Sequence, residues 1–130
     1  MQTSFTDKQL LDKDNKSSES ILRKCVHCGM CNATCPTFCV NGEELEGPRG
    51  RIYLIKDMLE NKKPANKKVV KHIDSCLSCY SCMTTCPSGV NYMHLIDHGR
   101  NYVEETYKRP FFDRLFRNVL SFVLPRPKVF

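Results

Sequence analysis

The sequence of 130 residues contains no tryptophan. No apolar run in it approaches the eighteen consecutive residues of a membrane-spanning helix. It also opens without an apolar secretory segment, since MQTSFTDKQLLDKDNKSSES is polar and mixed in charge. These absences predict a cytoplasmic chain, in which thiols stay reduced and disulfide bonds are rare. A peripheral position on the cytoplasmic face of the inner membrane is compatible with them.

Motifs for organic catalysis are also missing. The sequence shows no acid–base pair, nucleophile triad or dinucleotide fingerprint, and the glycines of GEELEGPRG lack the spacing of a phosphate-binding loop. The alternation of apolar and polar residues that indicates a β-strand is absent as well. We therefore expect a mostly α-helical chain without catalytic residues, which serves a partner that performs the chemistry.

Cysteine, by contrast, is abundant, and eight of the nine cysteines form two matching runs. CVHCGMCNATCP at 25–36 and CLSCYSCMTTCP at 76–87 both read C-x2-C-x2-C-x3-C-P, with a constant offset of 51 residues. The eight are Cys25, Cys28, Cys31, Cys35, Cys76, Cys79, Cys82 and Cys86. This arrangement is typical of bacterial two-cluster ferredoxins and predicts two [4Fe–4S] clusters.

The spacing also predicts which cysteines share a cluster. Three cysteines at x2 spacing can present three thiolates from one tight loop, whereas the fourth, which proline follows, points away from that loop. In two-cluster proteins the fourth cysteine binds the other cluster. We predict one cluster on Cys25, Cys28, Cys31 and Cys86, and a second cluster on Cys76, Cys79, Cys82 and Cys35.

Two alternative ligands agree less well with the sequence: zinc with the cysteine spacing, and nucleic acid with the net charge. Structural zinc usually uses cysteine pairs with a longer spacer between them. The formal charge of +6 could suggest nucleic acid, but two oxidised clusters together with their eight thiolate ligands would offset most of it, so no nucleic-acid partner is predicted. The ninth cysteine, Cys39, is expected to be a small buried apolar residue, with a place in a labile cluster as the alternative.

The chain divides into three predicted parts. Residues 1–17 look like a flexible arm, and residues 18–108 hold both cysteine runs in one two-cluster domain. Residues 109–130 are expected to form an amphipathic C-terminal helix that leads to a missing C-terminal region. The apolar pairs of FFDRLFRNVLSFVLPRP indicate either packing against a larger protein or partner, or contact with an anionic membrane surface.

Within the middle part, helix start and stop signals surround the cysteine loops. A short helix is expected from about Ser18, and the main helix should begin near Pro48 and stop before Pro64. A further short helix is predicted over residues 67–74, and a longer one follows the second run. Gly99 lies inside that longer helix, where it can mark close packing against another element.

Three segments together resemble the iron–sulfur subunit of glycolate oxidase (glycolate dehydrogenase): ILRKCVHCGMCNATCPTF, GEELEGPRGRIYLIKDMLE and CLSCYSCMTTCPSGVNYMHLIDHGR. The cysteine runs fit many ferredoxin-like proteins, but GPRGRIYLIK and CPSGV narrow the resemblance to this subunit. It covers nearly the whole chain and implies an α-helical ferredoxin-like domain, with all eight cysteines matching the ligand motif. The family's cysteine-rich C-terminal repeats have no counterpart here, because no Cys-Cys-Gly occurs.

The resemblance also implies a function. The chain would pass electrons from FAD-containing subunits, which oxidise glycolate to glyoxylate, to a respiratory acceptor such as membrane quinone. An electron-transfer subunit of a related lactate, glycerol 3-phosphate or heterodisulfide complex is the nearest alternative. A free-standing two-cluster ferredoxin is a third possibility, although a free carrier has little use for the apolar tail helix.

Overall fold

The computed structural model describes residues 1–126, which are mostly helical and contain no β-strand. The helices are α1 (Asp7–Leu10), α2 (Lys13–Lys24), α3 (Pro36–Asn41), α4 (Pro48–Asn61), α5 (Lys67–Asp74), α6 (Ser81–Thr84), α7 (Tyr92–Thr106) and α8 (Phe111–Val123). Two short 3-10 helices cover Met30–Thr34 and Glu44–Glu46. The predicted mostly α fold is confirmed.

Local signals account for the bounds of the central helices. Pro48 occupies the first turn of α4, where a missing N–H costs nothing, and α4 ends as Lys62 takes a left-handed φ of 49°. The side chain of Asn66 accepts a hydrogen bond from the N–H of Val69 at 3.0 Å and so caps α5. Both helices therefore begin and end where the sequence predicts.

The hydrophobic core lies mainly between α4 and α7, with α2 and α5 packed beside them. A Cβ built on Gly99 of α7 would lie only 2.8 Å from Cγ1 of Ile55 in α4. The predicted close packing at Gly99 is thus present, and a larger residue there would push the two helices apart. Fully buried side chains of this core are Leu22, Ile55, Ile73, Leu95, Ile96 and Val103.

Residues 1–17 differ from the expected flexible arm. They contain α1 and the beginning of α2, and Met1 and Phe5 pack against the core. The buried Gln9 donates from Nε2 to the carbonyl oxygens of Leu59 at 2.9 Å and Glu60 at 3.1 Å. Because one buried amide satisfies carbonyls near the end of α4, this segment is held against the domain.

Helix α8 is amphipathic as predicted, but its orientation is unusual. Its polar side turns toward the domain, where Arg117 pairs with Asp113 at 3.2 Å and with Asp74 of α5 at 3.0 Å. Arg109 joins this group through Asp74 at 2.6 Å. The apolar side faces outward, and its exposed residues are Phe111, Phe112, Leu115, Phe116, Val119 and Phe122.

The last part of the predicted tail, residues 127–130, lies outside the described residues. None of the helices within residues 1–126 combines the length and apolar character that crossing a membrane would require.

Candidate metal centres

The two cysteine loops share an unusual backbone conformation. His27 and Ser78, at equivalent positions of the two runs, have positive φ angles of 57° and 53°. Gly29 and Tyr80, also equivalent, have φ angles of 83° and 58°. Non-glycine residues rarely adopt this left-handed region, and three of them do so here. The repeat in sequence is therefore also a repeat in local structure.

Equivalent residues of the two runs touch each other. The hydroxyl of Thr85 donates to Oγ1 of Thr34 at 3.2 Å, and these threonines occupy the same position of their runs. Self-contact of equivalent positions is the mark of an approximate two-fold relation. Such a relation turns the end of each run toward the beginning of the other, so each fourth cysteine approaches the opposite loop.

A first cavity lies beside the first loop. Its empty volume, including the open mouth, is about 440 Å³. The first three cysteines of the first run line it together with the last cysteine of the second run, and Cys82 borders it from the side. The predicted set that lines this cavity is Cys25, Cys28, Cys31 and Cys86.

A second cavity, of about 290 Å³, lies beside the second loop. The other predicted set lines it, namely Cys76, Cys79, Cys82 and Cys35. Pro48 and Tyr92 border both cavities, so the two sites are separated by little more than these side chains and Cys82. The structure brings each predicted set of four cysteines to one cavity, and the two cavities are neighbours.

Cys39 belongs to neither cavity. It is exposed, and its thiol donates to the carbonyl oxygen of Ala33 at 3.4 Å. The expectation that Cys39 is buried is therefore wrong: it lies on α3, a helix with no buried residues.

Several cavity thiols are crowded and poorly hydrated. Burial raises the pKa of Cys82 to about 12, and the neighbouring thiols of Cys31, Cys76, Cys35 and Cys79 add to this. Burial, followed by the Cys25 and Cys86 thiols, also raises the pKa of Cys31. Several sulfur ligands converging in a site of low polarity need a cationic core to become thiolates together.

Cys35 is different because polar neighbours surround its sulfur. Burial raises its pKa, but hydrogen bonding with the Thr37 hydroxyl, the Phe38 N–H and the Arg51 guanidinium outweighs burial and lowers the pKa below the usual value. These donors therefore make the thiolate form of Cys35 easier to reach than that of an ordinary thiol.

Comparison with known proteins bears directly on the cysteines. The family model of the 4Fe-4S dicluster domain matches residues 21–90, more than half of the chain and both runs. The chain belongs to the 4Fe-4S dicluster family. Four thiols per cavity are a complete ligand set for a [4Fe–4S] cluster, so the donor chemistry fits the cofactor. The predicted cofactors, two [4Fe–4S] clusters, are thereby confirmed.

Relatives of the chain include proteins named as iron–sulfur subunits. The "Glycolate oxidase iron-sulfur subunit" of Escherichia coli (strain K12) is 52% identical over 130 residues, which are 100% of this chain and 32% of the relative. The "Probable glycolate oxidase iron-sulfur subunit" of Bacillus subtilis (strain 168) is 32% identical over 86% of this chain and 26% of the relative. The resemblance to the glycolate oxidase iron–sulfur subunit is thus confirmed, and the chain spans about a third or less of these relatives.

A more distant likeness is to the mitochondrial "Succinate dehydrogenase [ubiquinone] iron-sulfur subunit" of Candida glabrata, at 27% identity over 60% of this chain and 33% of the relative. No solved structure matches the chain significantly.

The dicluster domain also contains a buried charged network that sequence reasoning missed. The Arg51 and Glu46 side chains are 1% and 3% exposed, and Nη2 of Arg51 lies 3.0 Å from a Glu46 carboxylate oxygen. Arg51 Nε donates to the carbonyl oxygen of His72 at 2.6 Å, and Nη1 donates to Sγ of Cys35 at 3.7 Å. On the far side of Glu46, Nδ1 of His72 lies 2.7 Å from Oε1.

Two glycines allow Arg51 to be placed there. A Cβ on Gly50 would lie 2.2 Å from the backbone oxygen of Glu44, and one on Gly47 would lie 2.5 Å from Oδ1 of Asn32. Glycine at position 50 thus lets the start of α4 pack tightly against the Glu44–Glu46 turn, and glycine at position 47 leaves room for the buried Asn32 side chain. The signal in the sequence was an arginine that follows two glycines and precedes the apolar stripe IYLI.

Proposed function

We propose that this chain is the two-cluster electron-relay domain of a flavin-dependent complex that oxidises glycolate to glyoxylate. The observation that carries the proposal is the 52% identity, over the whole of this chain and 32% of the relative, to a protein named for glycolate oxidase. Two adjacent cavities, each lined by one predicted set of four cysteines, accompany it. An iron–sulfur electron-transfer role follows from the dicluster family. The glycolate substrate and the FAD-containing subunits are carried over from the relative's name and from the family resemblance.

The ligand sets form part of the proposal. One cluster would be held by Cys25, Cys28, Cys31 and Cys86, and the other by Cys76, Cys79, Cys82 and Cys35. The cavity linings and the contact between Thr34 and Thr85 support this crossed pairing. When bound, the clusters accept and release single electrons, and the protein holds them close enough to form a relay.

We place electron exchange with partners at the exposed edge of each cavity. Cys28 and Cys79, equivalent in the repeat, are both exposed, while the other cavity cysteines are buried or half-buried. Val26 and Leu77, also equivalent, stand beside them with exposed fractions of 68% and 67%. Each cavity thus has one accessible edge with an apolar neighbour, which suits docking of a redox partner.

The apolar face of α8 supports a place inside a complex. A free-standing ferredoxin would leave six large apolar side chains of one helix in water, which soluble monomers generally avoid. We assign this face to contact with another protein surface of the complex. A respiratory acceptor, membrane quinone among the candidates, would take the electrons from the relay.

The test is substrate-driven reduction. The anaerobically purified chain is first assayed for iron, acid-labile sulfide and the EPR spectrum of two reduced centres. It is then mixed with the FAD-containing glycolate oxidase subunits, and glycolate is added. We expect both centres to be reduced by glycolate and not by lactate or glycerol 3-phosphate. Intact clusters that stay oxidised with glycolate but are reduced with another substrate would reassign the complex.

A further inference from the structure

The two cavities differ in the polar groups that face their cysteine sulfurs. At the second cavity, Arg51 donates to Sγ of Cys35, and the Tyr92 hydroxyl donates to Sγ of Cys76, each at 3.7 Å. At the first cavity, within residues 1–126, no side-chain N–H or O–H donates to a ligand sulfur. Sγ of Cys86 accepts there from the backbone N–H of Val90 at 3.4 Å.

We propose that Arg51, assisted by Tyr92, makes the cluster of the second cavity the higher-potential centre, so that electrons enter at the first cavity and leave at the second. Arg51 acts on this cluster indirectly, as a positioning residue that donates to the sulfur of Cys35. The proposal rests on the electron-relay function and on the crossed ligand sets proposed above. In this relay, the centre of the first run gives up one electron and is oxidised. The centre of the second run takes up that electron and is reduced.

Hydrogen bonds explain the direction of the effect. Reduction adds negative charge to a cluster and its sulfur ligands, so donors aimed at those sulfurs stabilise the reduced form more than the oxidised form. A charged donor such as a guanidinium contributes more than a neutral one. Because Arg51 is 1% exposed, water screens its charge little. The second centre should therefore accept electrons more readily.

The carboxylate of Glu46 moderates this effect without cancelling it. Arg51 turns Nη1 toward Cys35 and Nη2 toward Glu46, so the sulfur faces the positive end of the ion pair. Glu46 is also bound by the Ser75 hydroxyl and by Nδ1 of His72, which spread its charge away from the cavity. Removing the carboxylate charge and removing the guanidinium charge should thus change the potential in opposite directions.

Arg49 provides the contrast at the first cavity. Its Nε pairs with Glu44 at 2.6 Å, and both side chains are well exposed, at 35% and 47%. Its Nη1 donates to the backbone oxygen of His27 at 3.5 Å instead of to a sulfur. Solvent screening weakens such a pair, so Arg49 raises the first potential less than Arg51 raises the second.

An EPR-monitored redox titration of the intact two-cluster protein tests the proposal without any partner. Cys35→Ser marks the second-run centre, because its spectrum should change in that variant. In the wild type this centre should have the higher potential. The double variant Arg51→Gln with Glu46→Gln should lower the equilibrium constant for reduction of this centre about tenfold. That change corresponds to a potential lower by ~59 mV for one electron. Glu46→Gln alone should raise its potential.

Tyr92→Phe and Arg49→Gln complete the design. Tyr92→Phe removes one hydroxyl with little change of shape and should lower the potential of the second-run centre by a smaller amount. This variant keeps the test decisive if Arg51→Gln with Glu46→Gln fails to fold. Arg49→Gln should leave the second-run centre unchanged. A wild type in which the first-run centre has the higher potential would overturn the proposal. Shifts of the same sign in Glu46→Gln and the double variant, or no shift in Tyr92→Phe, would also overturn it. Failure of glycolate to reduce intact clusters concerns the proposed function instead.

Discussion

Cys35 and Cys39 lie four residues apart, yet their surroundings differ in every respect that matters for metal binding. Cys35 is buried, lines the second cavity and faces Arg51 and Thr37. Cys39 is exposed, and its thiol donates to the backbone oxygen of Ala33. The residue type is the same, so what makes one of them a ligand candidate is the set of groups gathered around it.

This pair offers a matched test of the crossed ligand sets. Cys35→Ser should perturb or remove the centre of the second run and leave that of the first run intact, because a serine hydroxyl is a poor substitute for a thiolate. Cys39→Ser should retain the full iron and sulfide content of the wild type. Iron analysis and EPR of the reduced proteins measure both effects. If Cys35→Ser altered the first-run centre alone, the crossed assignment would be wrong.

At the scale of elements, α8 is attached to the domain by charges and not by its apolar side. Asp74, Arg109, Asp113 and Arg117 hold its polar face against α5. A surface helix normally buries its apolar stripe against its own domain, and here that stripe points away. The arrangement presents a continuous apolar face in a defined orientation, which is what a docking helix requires.

Substitution on this face should separate docking from folding. Phe112 and Phe116 are 81% and 63% exposed, so Phe112→Ser with Phe116→Ser should leave the thermal stability of the domain nearly unchanged. Association with the FAD-containing subunits should weaken at least about tenfold, since each lost ring removes roughly 1.5–3 kcal/mol of apolar burial. Binding measured by calorimetry tests this expectation.

Leu11→Ser is the control for the α8 variant, because Leu11 is an exposed apolar residue on another part of the surface, at 86% exposure. It should leave association intact. If Phe112→Ser with Phe116→Ser left binding to the subunits unchanged but abolished binding to anionic vesicles, the α8 face would be assigned to a membrane surface instead.

For the whole molecule, the clusters should act as structural as well as redox groups. A chain of this size has a modest core, and Cys25 and Cys82 belong both to that core and to the cavities. Binding energy at such sites contributes to folding, because the unfolded chain does not hold eight thiols in place. Without the clusters, the thiols of the two cysteine loops would no longer be joined to one another.

Removal of iron should therefore destabilise the fold. We expect the apo-protein to have a Tm lower by at least about 10 °C, roughly 2–3 kcal/mol for a chain of this length. Far-UV circular dichroism of the holo-protein and of the chelator-treated protein measures the change, and anaerobic reconstitution should restore the original Tm. Equal melting of the two forms would mean that the helical core alone sets the stability.

Local chemistry allowed much to be predicted from the sequence. The cysteine spacing indicated both clusters, and Pro48 and Pro64 mark helix bounds that the structure reproduces. Signals of this kind act within a few residues, so they are readable without knowing what packs nearby. The crossed pairing of the cysteines was predicted from the same motif, and the cavities now support it.

Tertiary packing decided the remaining features. Gln9 holds residues 1–17 in place because carbonyls near the end of α4 lie within its reach, and Arg51 is buried where Gly50 lets α4 approach the preceding turn. The outward face of α8 likewise depends on Asp74, which is distant along the chain. Burial and charge pairing arise between segments far apart in sequence, and a local pattern cannot specify which segments meet. The sequence alone thus determined the helices and the predicted cysteine ligands, whereas the fold decided their electrostatic surroundings.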